Sequence, residues 1–267
     1  MRKSIAIFAA VVSFCGALRS AETSLVVKGK EDFSGSIAKV RNIPGGVGFS
    51  NGTGYIHLIT KKKLAIDPKK KYLLSFEHRL VSGAENSCRF YVAPVCYDSK
   101  GRIISCESQN VVLGTDSVLA APVKKGDKVV KVKDCSKWSL KYGAIAFGTK
   151  KDLSDLPNMA CFRLTGLKKS ENCWEVTLRV PVTRDYPAGT AVRNHRDGAA
   201  YRYVAGLIRP GKEWKKISCT IQGILREGLP GFTSSWRVGT AQAGVIIFPG
   251  TGKADVEVRN LSVSEVK

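Results

Sequence analysis

Apolar and polar positions alternate along most of this chain with a period of two. The run Tyr72-Leu-Leu-Ser-Phe-Glu-His-Arg-Leu80 shows the pattern, and so do 89–97, 128–133, 173–180, 214–221 and 255–263. A period of two places every second side chain on one face of an extended strand, so these segments predict strands with one face in a core. Turn sequences separate them: Asp67-Pro68, Asp98-Ser-Lys-Gly101, Lys125-Gly-Asp127, Pro187-Ala-Gly189, Arg209-Pro-Gly-Lys212 and Pro249-Gly-Thr-Gly252. One stretch has a helical look, Leu153 to Met159, but Pro157 interrupts it and it reads as a loop. The chain is therefore predicted to be all-β, a sandwich of the jelly-roll type.

Alternation also sorts side chains between core and surface. Tyr72, Leu74, Phe76 and His78 share the core face of their strand, while Leu73, Ser75, Glu77 and Arg79 point outward. The same parity sends Phe90 and Val92 inward and leaves Arg89 and Tyr91 outside, beside Glu77 and Arg79. Pro94 is a point at which the alternation can reset. On this reading His78 is a hydrogen-bonded core histidine rather than a catalytic one.

Composition agrees with a folded chain: 43% of the 267 residues are hydrophobic, enough to build a core and too many for a disordered segment. Neither a glycine period nor sustained heptads are present, which excludes collagen-like and coiled-coil architectures. Charge changes the picture more. Lys and Arg number 43 against 22 Asp and Glu, a formal charge of +21, and such an excess favours anionic partners. Lysine pairs at turns and strand edges, such as Lys124-Lys125, have a second use in keeping edges soluble.

The first residues, Arg2-Lys3 followed by the apolar run Ile5 to Leu18 and then Ser20-Ala21, have the layout of a signal peptide over residues 1–21. Its removal would take three cations and leave an excess of 18 in a secreted, periplasmic or cell-surface protein. Nothing in the remainder is apolar enough to insert in a membrane. Nucleic acid is a poor partner for an exported chain without a recognisable module of stacked aromatics and basic residues. Seven cysteines follow the leader, an odd number, with no C-x-x-C pair and no Cys/His spacing for zinc; His57, His78 and His195 stand far apart. Buried free thiols and disulfides both remain open, and no cofactor, metal or catalytic thiol is expected.

The order of four segments carries a resemblance. Asp67-Pro-Lys-Lys-Lys-Tyr-Leu-Leu-Ser-Phe-Glu-His-Arg79, Val95-Cys-Tyr-Asp-Ser-Lys-Gly-Arg-Ile-Ile104, Pro210-Gly-Lys-Glu-Trp-Lys-Lys-Ile-Ser-Cys-Thr220 and the closing Gly244 to Val263 follow one another. Together they resemble jelly-roll carbohydrate-binding modules of the galactose-binding-domain-like group. The resemblance implies a core strand, a strand ending in a turn, a structural Trp214 and a last strand that closes the sandwich. It breaks between Gln109 and Ala205, where the extra sequence has its own alternation, as in Val129, Val130, Val132 and Trp174, Val176, Leu178. We therefore expect a jelly roll from 22–109 and 206–267 with an inserted β-domain over 110–205. Many modules of this group hold calcium through acids near the last strand, but Arg259 and Asn260 occupy that place here, and Asp32 and Asp255 read as turn residues.

Sugar recognition requires flat apolar faces together with planar groups for hydroxyls and carboxylates. Glu77, Arg79, Arg89 and Tyr91 supply that set on the expected outer face, and Trp236-Arg237, in a Gly/Ser-rich segment, forms a second candidate. The sequence thus points to a secreted, non-catalytic protein that binds a polysaccharide or glycan, an anionic one given the charge. A surface-structural or adhesion component using the inserted domain for protein contacts is the alternative. A polysaccharide lyase built on Asn194-His195-Arg196 and Tyr201-Arg-Tyr203 comes third. No carboxylate pair, G-x-S-x-G elbow, phosphate loop or H-E-x-x-H motif is present.

Overall fold

The protein is described by a computed structural model at residues 24–51, 57–85, 88–198, 203–225, 234–249 and 254–266. The expected leader over 1–21 and Tyr201 lie outside the described residues. Every expected strand is present and the chain is all-β. Before the extra sequence come β1 Ser24–Val26, β2 Phe33–Gly35, β3 Val40–Ile43, β4 Gly46–Asn51, β5 Leu58–Thr60, β6 Leu64–Ala65, β7 Lys71–Ser82 and β8 Phe90–Tyr97. Next are β9 Ser117–Val118, β10 Val129–Val132, β11 Gly143–Phe147, β12 Cys161–Lys169, β13 Trp174–Leu178 and β14 Ala191–Arg196. Last are β15 Lys215–Ile221, β16 Ile224–Leu225, β17 Trp236–Arg237, β18 Gln242–Pro249 and β19 Ala254–Val266.

Two of the sheets make a sandwich. One runs β15-β7-β19-β4-β3, with β1 also on β19; in the other β18 pairs with β8 on one side and with β5 and β6 on the other, and β2 joins β5. Their inner faces meet in one core: Tyr72, Leu74 and Phe76 of β7 and Val256 and Val258 of β19 from the first, Phe90 and Val92 of β8 and Val245 and Ile247 of β18 from the second. The alternation of β7 is therefore the burial pattern seen, as the period-two rule requires.

The long strand β19 could not keep one phase over its whole length. Val256 and Val258 face the core at even positions, and Leu261 and Val263 face it at odd ones. A bulge between Arg259 and Ser262 in the pairing with β7 changes the phase, and Asn260 accommodates it with φ of 53°, a backbone region asparagine enters more easily than most residues.

The six strands of the third sheet all lie between Ser117 and Arg196, in the order β10-β13-β12-β11-β14-β9 with every neighbour antiparallel. Its two ends also meet. Leu119 bridges Val132, and hydrogen bonds join Ala120 N–H to Lys131 O and Lys133 N–H to Val118 O at 2.8 and 2.9 Å. The inserted region is thus a closed β-barrel, filled by its own core of side chains including Val130, Val132, Ile145, Phe147, Val176 and Val192. Trp138 belongs to that core and donates its indole N–H to Thr115 O at 2.9 Å. The Leu153 to Met159 stretch is the expected loop. Among the described residues no disulfide joins the cysteines, and no helix is long and apolar enough to cross a membrane.

Trp236 departs from its expected place as an exposed loop aromatic. It is 0% exposed, sits in β17 paired to β16, and meets Tyr72 edge to face at 5.5 Å between ring centroids. The Gly/Ser neighbours say nothing about packing, and so large an apolar side chain is placed by the core that can receive it. Replacing it would leave a large void. Trp236→Ala is expected to lower unfolding stability by about 3–5 kcal/mol in a denaturant titration, with no direct role in ligand binding.

Candidate functional site

The four outward residues expected to form one surface are divided between two. β7 and β8 follow each other in sequence but belong to opposite sheets, so Glu77 and Arg79 lie on one outer face of the sandwich and Arg89 and Tyr91 on the other. Parity gives the face that each side chain takes but not its sheet, because alternation does not record which sheet a strand joins.

On the first face Glu77 and Arg79 are tied into an ion-pair network. Arg79 stands opposite Glu257 across β7 and β19 and pairs with it at 2.9 Å, while Arg41 reaches the other carboxylate oxygen at 3.0 Å. Arg41 reaches across Gly48, where a Cβ would come within 2.5 Å of its guanidinium carbon. Two register positions along, on the same face, Arg259 pairs with Glu77 at 2.7 Å. That hydrogen bond holds the Glu77 carboxyl below the usual carboxylate range. Trp214, expected to be structural, is half-exposed on this face beneath two guanidinium groups, Arg259 at 3.9 Å and Arg79 at 4.7 Å from its ring centroid. The arginines cover the indole and neutralise the acids, so the face is occupied by its own side chains.

The second face is apolar. Ala93, Val95, Tyr97 and Ile246 form a small buried cluster on the side of β8 and β18 that faces away from the main core. At its margin the rings stay half-exposed. Tyr91 lies 4.3 Å from Tyr203 with their planes at 35°, Phe248 is 6.2 Å from Tyr91, and His57 is 6.4 Å beyond Phe248. Burial lowers the pKa of His57, which favours its neutral ring. Arg89, on the same parity as Tyr91, is exposed beside this strip, and Lys63 sits over Tyr97 at 3.8 Å. Tyr203 and Phe248 come from segments distant in sequence from Tyr91. The alternation of 242–249 would have marked Phe248 as outward, but nothing local links Tyr203 to it.

Arg237 also leaves the candidate set. It is 4% exposed and donates to Ile104 O. The neighbouring N–H of Val238 donates to Gln109 Oε1 at 3.1 Å, so this turn joins the sandwich to the approach to the barrel. Asp255 accepts hydrogen bonds from Ser50 and Ser82, and Asp32 accepts them from the Lys28 and Gly29 N–H groups. No group of three metal-ligating side chains occurs among the described residues.

His195, the base of the lyase alternative, is 0% exposed in β14. Its Nδ1–H donates to Glu107 O at 2.7 Å, so Nε2 is the acceptor, and Arg193 Nε donates to it at 3.2 Å. Arg193 is itself buried and pairs with Asp155 at 3.1 Å. Cys161 Sγ is 3.8 Å from His195 Nδ1 and within reach of the Asn158 and Glu107 carbonyls; burial pushes its pKa up, so it is a thiol and not a nucleophilic thiolate. Both nitrogens of His195 are spent on structure, and the ring has no opening to a substrate.

No known protein family and no curated protein matches this chain. The site must therefore be argued from its own chemistry, and two consequences can be measured. Glu257 is the least exposed acid of the ion-pair network and serves two arginines, so Glu257→Gln is expected to lower stability by about 1–3 kcal/mol in a urea titration. The more exposed Glu77→Gln should cost less. The second concerns pH. His78 is buried with both ring nitrogens unpartnered among the described residues, rather than hydrogen-bonded as expected, and desolvation pushes its pKa down to about 4; burial likewise brings His195 to about 4. The unfolded chain protonates both rings below about 6.5 and the fold does not until about 4, so protons favour unfolding across that window. The thermal midpoint should fall as pH drops through this window, and His78→Leu should flatten part of the fall; a level midpoint in the wild type would contradict neutral buried rings.

Proposed function

We propose that this is a secreted, non-catalytic carbohydrate-binding protein whose ligand, an anionic polysaccharide or glycan, lies along the strip of Tyr91, Tyr203 and Phe248. The observation that carries the reading is the strip itself. Three half-exposed rings are grouped around Tyr91 on a sheet face, and the C–H faces of pyranose units pack against such surfaces. The cationic excess of the chain, with Arg89 exposed beside Tyr91, supports acidic over neutral sugars. The motif order resembling galactose-binding-like modules supports the same class, and the apolar run near the N-terminus supports export. The enclosed state of His195 and the thiol form of Cys161 favour binding without catalysis.

The adhesion reading has its own observation. Leu113, Leu140 and Tyr142, in and around the barrel, are 68%, 45% and 63% exposed, and it is a contiguous patch of such side chains, rather than each singly, that marks a protein contact.

Affinity electrophoresis against neutral and anionic polysaccharides across a salt series separates the readings. An anionic glycan should retard the protein at moderate salt. Tyr91→Ala and Tyr203→Ala should each weaken that retardation about tenfold, the loss of one good aromatic contact, without changing the thermal midpoint by more than a few degrees. Arg79→Ala should leave it intact. Retardation by every polyanion, abolished by salt and indifferent to the tyrosines, would mean that charge alone binds and would put the adhesion reading first.

A further inference from the structure

A cleft of about 440 Å³ opens where the barrel meets the turn after β8, and it lies within the ~300–1,000 Å³ range of small-ligand sites. Two cations line it. Arg102 comes from the turn and is held by Asp98 at 2.7 Å; Arg184 comes from the loop after β13, lies over the Tyr186 ring at 5.0 Å, and has no carboxylate partner among the described residues. Tyr186 and Phe147, which border it, belong to the barrel core and stack on each other at 4.3 Å and 23°. Asp155 and Asn158 complete the polar lining. Burial opposes the charge of Asp155, but hydrogen bonds from Asn158 Nδ2 and Lys150 N–H together with the Arg193 ion pair outweigh it, so the carboxylate is already oriented and charged.

The cleft therefore presents guanidinium groups and a fixed carboxylate in one small volume. Guanidinium forks match a carboxylate in plane and number of donors. A fixed carboxylate accepts hydroxyl protons but repels a second negative charge, which disfavours a phosphate or another dianion. We infer that this cleft is a second binding site, for a uronic-acid unit of an acidic oligosaccharide, with Arg184 and Arg102 on the sugar carboxylate and with the Asp155 carboxylate and Asn158 Oδ1 accepting from its hydroxyls, since both Nδ2 hydrogens of Asn158 are already donated to Phe147 O and Asp155. It extends the glycan reading to another surface and stands without the aromatic strip, since none of the strip residues lines it.

The test is an amide chemical-shift titration of the purified protein with digalacturonate, the neutral galactose disaccharide and inorganic sulfate. Saturable shifts at Asn158, Met159 and Arg184 are expected with digalacturonate at up to millimolar concentrations and not with the other two. Arg184→Ala should weaken binding about five- to tenfold, the range for losing one charged hydrogen-bond partner, and Arg184→Lys should recover part of it by keeping the charge without the fork. Tyr91→Ala should leave these shifts unchanged, so failure of the strip and failure of the cleft read out separately. The inference is overturned if no saturable shift appears around the cleft, if Arg184→Ala binds as the wild type does, or if sulfate binds as tightly as the uronate. Arg184 is exposed and lies outside the barrel core, and far-ultraviolet circular dichroism of both variants verifies that they fold.

Discussion

The sandwich depends on β19 holding its phase. This strand pairs with β7 on one side and with β4 and β1 on the other, so it joins every part of the first sheet except β15 and β3 directly. Over its thirteen residues β19 does not keep its apolar side chains inward by strict alternation, and the bulge at Asn260 restores the phase. The outer face follows from the same register. Arg79 meets Glu257 and Arg259 meets Glu77 because the pairing before the bulge puts them directly opposite, and the two guanidinium groups then close over Trp214.

The barrel solves a different problem. A six-stranded antiparallel sheet of short strands inserted between two strands of a sandwich would carry two open edges, and joining β9 to β10 through the Leu119–Val132 bridge removes them. Its attachment is made of polar groups. His195 to Glu107, Asn158 N–H to Ser108 O, Arg237 to Ile104 and Val238 to Gln109 tie the barrel and the sandwich to the segment that runs between them. Buried hydrogen bonds of this kind explain why His195, Arg193 and Arg237, which look functional as residue types, are structural here. They also place Arg102 of the sandwich against the barrel loops that shape the cleft.

Two surfaces are left with chemistry to offer after these demands are met. The charged face of the first sheet is neutralised from within. The aromatic margin of the second sheet and the cleft at the barrel share a character of rings next to guanidinium groups, and in the cleft Arg184 has no carboxylate partner among the described residues. Both draw on a chain whose cations outnumber its acids almost two to one, which gives long-range attraction to polyanions before any specific contact forms.

By itself the sequence determined the class of fold, the strands and, along β7 and the start of β8, the face each side chain takes. These are local properties, since extended backbone sends alternate side chains to opposite sides and a buried face must be apolar. The Asp98 and Pro157 turns were legible for the same reason, as was the extra β sequence after Gln109. Only the tertiary structure decided that β7 and β8 belong to opposite sheets, that Trp236 fills the core while Trp214 lies outside, that Tyr203 stacks on Tyr91, and that β9 closes onto β10. Each is a contact between segments far apart in the chain, chosen by which apolar surfaces and backbone edges remain unpaired once the local strands have formed, and a periodicity of two residues holds no record of that choice.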